Sequence, residues 1–221
     1  MAKFLLFDAG DGAQRSMESQ QLPIADIDAV FLTHFHSDHM ADLGEVISRS
    51  WILGRQHLLP IYGGPAVDRV VQGYRSAYSP DVTYRNAHHA SEVFPEPSLH
   101  AEAVQLEQAP ATGVVIYEQG GVRVWAYGVD HSPVSPAVGY RIEYGGRAIG
   151  ISGDTVDSDG LRNLASNADL LVSEVMDKTL VLDTACALEM TETNYCSGIS
   201  AHITPTSWSW PTPPPRAAST P

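Results

Sequence analysis

Three histidines and one aspartate fall within six residues, 34–39, and this cluster constrains the chain more than any other feature. It directly follows an apolar run, Ala29–Leu32, that is typical of a buried strand. An amphipathic helix is predicted directly after it, over Asp42–Gln56. Burying such polar side chains without partners costs on the order of several kcal/mol, so packing alone does not explain them.

The spacing of these four side chains predicts a metal site. His34 and His36 alternate, so both point to one side of an extended segment. Asp38 and His39 fall where the chain turns into the helix, so they can face a second point nearby. Imidazole and carboxylate together suit borderline divalent ions such as zinc, and coordination positions left open suit catalysis.

The rest of the chain up to about residue 182 has a uniform texture of short apolar runs separated by Gly and Asp. Strands that alternate with helices predict a layered α/β domain. The further predicted strands are Phe4–Phe7, Val122–Ala126, Ala148–Ile151 and Leu170–Val172, and the weaker predicted helices are Ala66–Tyr74 and Ser158–Ala168.

Composition narrows the partners and the location. The chain has 13 Lys and Arg against 26 Asp and Glu, a formal charge of −13, so nucleic acid is a disfavoured partner. Cys186 and Cys196 lack the CxxC spacing and are interpreted as reduced thiols. No apolar run is long enough to span a membrane, and Phe4–Phe7 is too short for a secretory leader, so a cytoplasmic location is expected by default.

The motif THFHSDH resembles the HxHxDH signature of the metallo-β-lactamase superfamily. FLLFDAGDGAQ, at 4–14, is similar to the strand and Asp-Gly turn upstream of that signature. The segment from Val129 to Thr155 resembles the third-histidine and bridging-aspartate region of the ribonuclease Z-like or arylsulfatase-like branch, and ADLLVSEV, at 168–175, resembles the following strand. The resemblance covers about residues 4–182 and implies an αββα sandwich with the site at the strand ends of one edge.

The resemblance also implies a centre with two Zn²⁺, for which Mn²⁺ or Fe could substitute. The last ligand of the family, a histidine near the C-terminus, has no counterpart in an LTH-type context here, so the second metal is expected to bind weakly. The implied ligands are His34, His36 and His131 for one metal, Asp38 and His39 for the other, and Asp154 as the bridge.

Such a centre implies a hydrolase that uses a metal-bound hydroxide. Asp38 is the candidate to take a proton from that water. His202, in AHITP, resembles a His-x-Thr element whose histidine protonates the leaving group. Asp8 and Glu174 are interpreted as partners that orient the ligands, although a turn or solvent role remains open for Glu174.

The substrate prediction depends on the 22 residues between His131 and Asp154. Members of the family that process tRNA carry an RNA-gripping arm there, whereas GYRIEYGGRAIGI predicts a simple hairpin. Together with the acidic charge, this favours a small ester, phosphodiester or sulfate ester over tRNA. A lactonase or β-lactamase-like hydrolase is an alternative, and so is an inactive metal-binding fragment that lacks the last ligand. A homodimer is left open.

The last 18 residues differ from the rest, with six of the 15 prolines and no Leu, Ile, Val, Asp, Glu or Lys. We therefore expect a metallo-β-lactamase-fold domain over residues 1–203 and a Pro-rich, aberrant or disordered tail over 204–221. If codons are assumed for SWSWPTPPPRAASTP and the gene segment is translated one base out of register, the product resembles an apolar helix that ends in Gly. The sandwich is thus expected to be incomplete at the back, and also at the front, where Phe4–Asp8 has no earlier strand before it.

Overall fold

The structure is a computed structural model that describes residues 3–89 and 101–176. Strands and helices alternate through the first described range, and strands dominate the second. The elements in chain order are β1 (Leu5–Phe7), α1 (Ala13–Ser19), β2 (Ala29–Phe31), α2 (Ser37–Met40), α3 (Leu43–Ile52), β3 (Leu59–Gly63), α4 (Val67–His88), β4 (Ala101–Gln105), β5 (Val114–Gln119), β6 (Val122–His131), β7 (Val134–Tyr144), β8 (Arg147–Ile151), α5 (Asp159–Ala165) and β9 (Leu170–Val172).

The first sheet is parallel throughout and has the order β1-β2-β3-β4. Its central strand β2 is covered on both faces, which explains the continuous apolar run in the sequence. Ala29 and Phe31 face the second sheet, whereas Val30 and Leu32 join the cluster formed with helices α1, α3 and α4. The period of two along the strand therefore divides its side chains between two cores.

The second sheet has the order β5-β6-β7-β8-β9 and is antiparallel except for the parallel pair β8-β9. Strands β7 and β8 form a hairpin whose two-residue turn is Gly145-Gly146, both at positive φ, of 56° and 77°. Two such glycines suit the tight turn that matches strand twist. The simple hairpin predicted for GYRIEYGGRAIGI is therefore confirmed.

The layers follow the predicted αββα order. Phe31 lies at the centre between the sheets, where it stacks on Phe7 and Tyr62 and meets the edge of Tyr140. On the outer face of the second sheet, Leu164 of α5 is completely buried. The two sheets thus share one core and each has its own helical layer.

The predicted helix boundaries need correction. The helix predicted over 42–56 is α3, 43–52, because Gly54 takes a positive φ of 107° just beyond its end. The helix predicted over 66–74 extends to residue 88 as α4, although only Val67 and Val71 are buried in it. The outer half of α4, residues 75–88, has no continuous apolar stripe, so the hydrophobic periodicity of the sequence did not predict it. The helix predicted over 158–168 is α5, 159–165.

Two expectations concern parts of the chain beyond this description. The domain boundary at 203 and the tail over 204–221 lie outside the described residues. Within the described ranges, none of the helices combines the length and the hydropathy that a bilayer crossing requires.

Candidate metal centre

The histidine cluster lies where β2 gives way to α2, at the carboxyl end of the parallel sheet. Open α/β sheets usually present their functional groups at this end. His36 keeps an extended backbone, with φ −65° and ψ 149°, and α2 begins at the next residue, Ser37. The change from extended chain to helix therefore separates His34 and His36 from Asp38 and His39.

Three imidazoles from two distant parts of the chain converge in what we call the three-histidine subsite (His34, His36 and His131). Nε2 of His34 lies 2.9 Å from Nδ1 of His36, and Nε2 of His131 lies 3.4 Å from that same Nδ1. His131 is the last residue of β6, so the second sheet supplies the third ring. Together with a carboxylate oxygen of Asp154, the ligand atoms lie within 4.8 Å of one another.

The donor set of this subsite fits a divalent metal ion. Two nitrogens bound to one tetrahedral zinc at about 2.0–2.1 Å are about 3.3 Å apart, close to the separations found here. Three neutral imidazoles and one carboxylate are also ligands that zinc accepts in catalytic sites. These four residues therefore lie close enough together to share one ion, and their role as ligands stays a prediction.

Asp154 connects this subsite with a second group of ligand atoms, the Asp38–His39 subsite. Oδ1 of Asp154 lies 3.1 Å from Nε2 of His39, and Oδ2 lies 3.8 Å from Nε2 of His131. Nε2 of His39 is also 3.7 Å from Oδ2 of Asp38. One carboxylate thus presents one oxygen to each group, which is the arrangement of a bridging ligand.

The backbone places Asp154 there through the glycine before it. Gly153 has a positive φ of 61°, and a Cβ on it would lie 2.9 Å from the side chain of Thr33. Only glycine combines this conformation with this close approach. The turn after β8 therefore packs directly on the histidine segment and brings Asp154 up to it.

Asp8 lies behind the subsites, at the carboxyl end of β1. Its Oδ2 accepts a hydrogen bond from Nδ1 of His39 at 2.8 Å, and both of its oxygens contact Thr33. A carboxylate on the far nitrogen of an imidazole leaves the near nitrogen free to bind a metal. Asp8 thus contacts a candidate ligand, and its predicted orienting role stays a prediction.

Burial and hydrogen bonding move the imidazole pKa values in opposite directions. Burial lowers the pKa of His34 to about 4, and repulsion from the His39 imidazolium adds to this effect. Burial also lowers the pKa of His131. By contrast, the hydrogen bond to Asp8 raises the pKa of His39. At neutral pH, His34 and His131 are therefore neutral, as metal ligands must be.

Glu174 lies beside Asp154 and the residue that follows it. Its Oε1 accepts a hydrogen bond from the backbone N–H of Thr155 at 2.9 Å. Desolvation beside the site and the nearby carboxylate of Asp154 raise the pKa of Glu174 to about 7, although that backbone hydrogen bond opposes the change. Glu174 therefore contacts the loop that carries Asp154, and its predicted orienting role stays a prediction.

Two tyrosines that the sequence analysis did not select donate hydrogen bonds to the backbone on either side of the histidine segment in the sequence. The hydroxyl of Tyr140, in β7, donates to the carbonyl of Leu32 at 2.6 Å. The hydroxyl of Tyr74, in α4, donates to the carbonyl of Met40 at 2.7 Å. The sequence does not indicate which carbonyl the hydroxyl of a tyrosine will contact, so no sequence signal was available for either residue.

The remaining histidines either do not belong to the ligand cluster or lie outside the described residues. His57, His88 and His89 are exposed. His202, predicted to protonate the leaving group, lies outside the described residues, and so does His100.

Comparison with known proteins agrees with this geometry. A family model described as the Beta-lactamase superfamily domain matches residues 4–194. Ribonuclease Z of Mycobacterium bovis is 37% identical over 183 residues, which are 81% of this chain and 62% of that protein. The chain therefore spans about three fifths of the length of this relative.

Two solved structures are similar to the chain. Human tRNase Z, short form, has a TM-score of 0.57 at 26% identity and covers 83% of this chain and 71% of its own. The metallo-β-lactamase fold protein YhfI of Bacillus subtilis has a TM-score of 0.54 at 23% identity, covers 80% of this chain and 62% of its own, and shows a shared fold. The chain belongs to the metallo-β-lactamase superfamily, in its ribonuclease Z-like branch.

Proposed function

We propose that this protein is a metal-dependent hydrolase of phosphodiester bonds whose substrate is RNA. The observation that carries the proposal is the position of Asp154, with one carboxylate oxygen toward each of two groups of ligand atoms. A pair of cations held in this way suits phosphodiester hydrolysis, in which an attacking and a leaving oxygen both need stabilisation.

The residues assigned to the metals follow from the two subsites. Zn²⁺ is the ion that the donor set suits best, and Mn²⁺ or Fe are alternatives. When bound, the ions supply Lewis-acid stabilisation of negative charge and a lowered pKa for water. His34, His36 and His131 would hold one ion, Asp38 and His39 would hold the other, and Asp154 would contact both.

Asp38 is the residue that we assign to proton transfer. Its side chain is 76% exposed at the mouth of the site, whereas the side chain of His39 is only 17% exposed. A carboxylate oxygen of Asp38 can therefore accept a proton from an incoming water molecule while Asp8 and Asp154 hold His39 in place. The transfer of a proton from His202 to the leaving oxygen completes this proposal.

The choice of RNA departs from the sequence-based preference for a small ester or sulfate ester. That preference rested on the net charge of −13 and on the short hairpin between His131 and Asp154. A relative at 37% identity carries the name ribonuclease Z, which conflicts with nucleic acid as a disfavoured partner. A sequence identity of 37% to a protein named ribonuclease Z favours a phosphodiester as the substrate. The relatives give no support for a sulfate ester or for another small ester.

A small phosphodiester is the second candidate, and the hairpin favours it. Strands β7 and β8 join through two glycines alone, so this part of the chain has no protruding element to hold a large RNA. The acidic charge also opposes binding of a polyanion. Catalysis could then be retained while affinity for a folded RNA is low.

The test is hydrolysis by the Zn²⁺- or Mn²⁺-loaded protein of a tRNA transcript, a single-stranded RNA, bis(p-nitrophenyl) phosphate and p-nitrophenyl sulfate. We expect cleavage of the RNAs and of the phosphodiester, and none of the sulfate. Cleavage of bis(p-nitrophenyl) phosphate alone would select the small phosphodiester. Hydrolysis of the sulfate in preference to all phosphodiesters, or no hydrolysis by a protein shown to hold its metals, would overturn the proposal.

A further inference from the structure

Thr33 lies at the junction between Asp8 and the two subsites, and it is almost completely buried, at 2% exposure. Its backbone N–H donates to Oδ1 of Asp8 at 2.8 Å, and its hydroxyl contacts Oδ2 of Asp8 at 2.9 Å. The same hydroxyl oxygen lies 3.1 Å from Nδ1 of His34. Thr33 therefore connects a carboxylate with a ligand histidine that this carboxylate does not itself contact.

The number of available protons determines the direction of these hydrogen bonds. A carboxylate only accepts, so the single hydroxyl proton of Thr33 goes to Asp8. The lone pairs of Oγ1 then remain for Nδ1 of His34, and this contact is a hydrogen bond only if Nδ1 carries a proton. A neutral imidazole has one N–H, so Nε2 of His34 is left as the free electron pair.

That free nitrogen is the atom that faces the centre. Nε2 of His34 is the atom that lies 2.9 Å from Nδ1 of His36. On the other subsite, Nδ1 of His39 donates directly to Oδ2 of Asp8 at 2.8 Å, which leaves Nε2 of that ring facing Oδ1 of Asp154 at 3.1 Å. Asp8 thus orients one histidine in each subsite, His39 directly and His34 through Thr33.

We propose that Thr33 is a positioning residue whose hydroxyl holds His34 in the tautomer that has its proton on Nδ1. The proposal rests on the metal centre assigned above, and it extends the assignment to a residue that contacts no metal. It also explains why a buried threonine, rather than a valine of the same shape, precedes His34. Loss of the hydroxyl would leave the Nδ1 proton of a buried ring without an acceptor.

The packing of Thr33 provides a matched pair of variants. Its Cβ and methyl carbon lie against Gly153, where an added Cβ would come within 2.9 Å of both. Thr33→Val keeps this packing and removes the hydroxyl, whereas Thr33→Ser keeps the hydroxyl and removes the methyl group. A role in packing alone would make the serine variant the more damaged of the two.

The first measurement uses metal-free protein with ¹⁵N-labelled histidine, in which two-bond ¹H–¹⁵N correlations report the tautomer of each ring. We expect the proton of His34 on Nδ1 in the wild type and in Thr33→Ser, and a mixture or the Nε2 proton in Thr33→Val. A wild-type His34 with its proton on Nε2 overturns the proposal, even if the valine variant does not fold. Because this readout needs neither metal nor substrate, it stands apart from any failure to hydrolyse RNA.

The second measurement is Zn²⁺ affinity by competition with a chelator. Residues that orient a ligand typically contribute about 10–100-fold to metal affinity, and we expect a loss of that size at the tighter site in Thr33→Val. Thr33→Ser should remain close to the wild type. An unfolding midpoint that falls in both variants without a change in tautomer or in affinity would show a purely structural role and overturn the proposal.

Discussion

The two subsites differ in how firmly the fold holds them. The three-histidine subsite is built from the segment that follows β2 and from the end of β6, and although His36 is exposed, His34 is only 2% exposed. The Asp38–His39 subsite lies on α2, which has only four residues, and the side chain of Asp38 is 76% exposed. The three-histidine subsite is formed by chain segments next to both sheets, whereas the Asp38–His39 subsite lies on a single helical turn. For the two ions proposed above, we therefore expect the first to be held more tightly than the second.

The largest effect is expected for the residue that the two subsites share. Asp154→Asn keeps the shape of the side chain and removes the charge that faces both groups, so we expect loss of detectable hydrolysis and weaker binding of both ions. Metal content after dialysis and the rate with bis(p-nitrophenyl) phosphate measure this. A variant that retains most of its activity would refute the bridging assignment.

Next, single substitutions should distinguish the subsites. His36→Ala should remove the tight ion and abolish hydrolysis, because His36 contributes the nitrogen that lies nearest to both His34 and His131. His39→Ala should remove only the loose ion and leave one bound equivalent. The control is His57→Ala, which alters an exposed histidine and should leave metal content and rate unchanged. Equal loss of metal in the two ligand variants would show that the subsites do not bind independently.

The smallest effect is a difference in pH dependence. Protons compete with metals for imidazole nitrogen, and a raised pKa means that the proton binds already at a higher pH. Because Asp8 raises the pKa of His39 while burial lowers that of His34 to about 4, falling pH should release the loose ion first. Chelator competition at steps from about pH 8 to 5, around the ordinary histidine pKa of about 6.5, measures the order of release. Release of both ions in one step would contradict it.

The sequence predicted those parts of the molecule that local pattern determines. The run before His34, the following helix and the hairpin between His131 and Asp154 each appear in the structure close to where the sequence indicated. The motif placed four candidate ligands within six residues, so their proximity required no knowledge of the tertiary structure.

Other parts depend on contacts that local pattern does not encode. Strand β3 contains Pro60, which breaks the usual strand pattern, yet it pairs on both sides within the parallel sheet. The outer half of α4 contains Tyr78, whose ring packs over Gly44 of α3. The apolar residues of this half show no helical periodicity that would predict the contact. The role inferred for Thr33 depends on Asp8, which accepts its hydroxyl proton, and on the Nδ1 proton of His34, and Asp8 lies 25 residues away along the chain. These contacts join residues that are distant in the sequence, so they form only when the sheets and helices pack together.

The two ends of the hairpin formed by β7 and β8 lie in different surroundings, one next to the candidate metal centre and the other far from it. Its open end holds the residues that flank His131 and precede Asp154, whereas the Gly145-Gly146 turn lies at the far end of the 11-residue strand β7, roughly 30 Å away. A Cβ added to either residue of the turn would meet no other atom within 4 Å, so both positions open onto unoccupied space. Extra residues at this turn would therefore lie far from the candidate ligands, and exposed turns of this kind are where insertions are best tolerated.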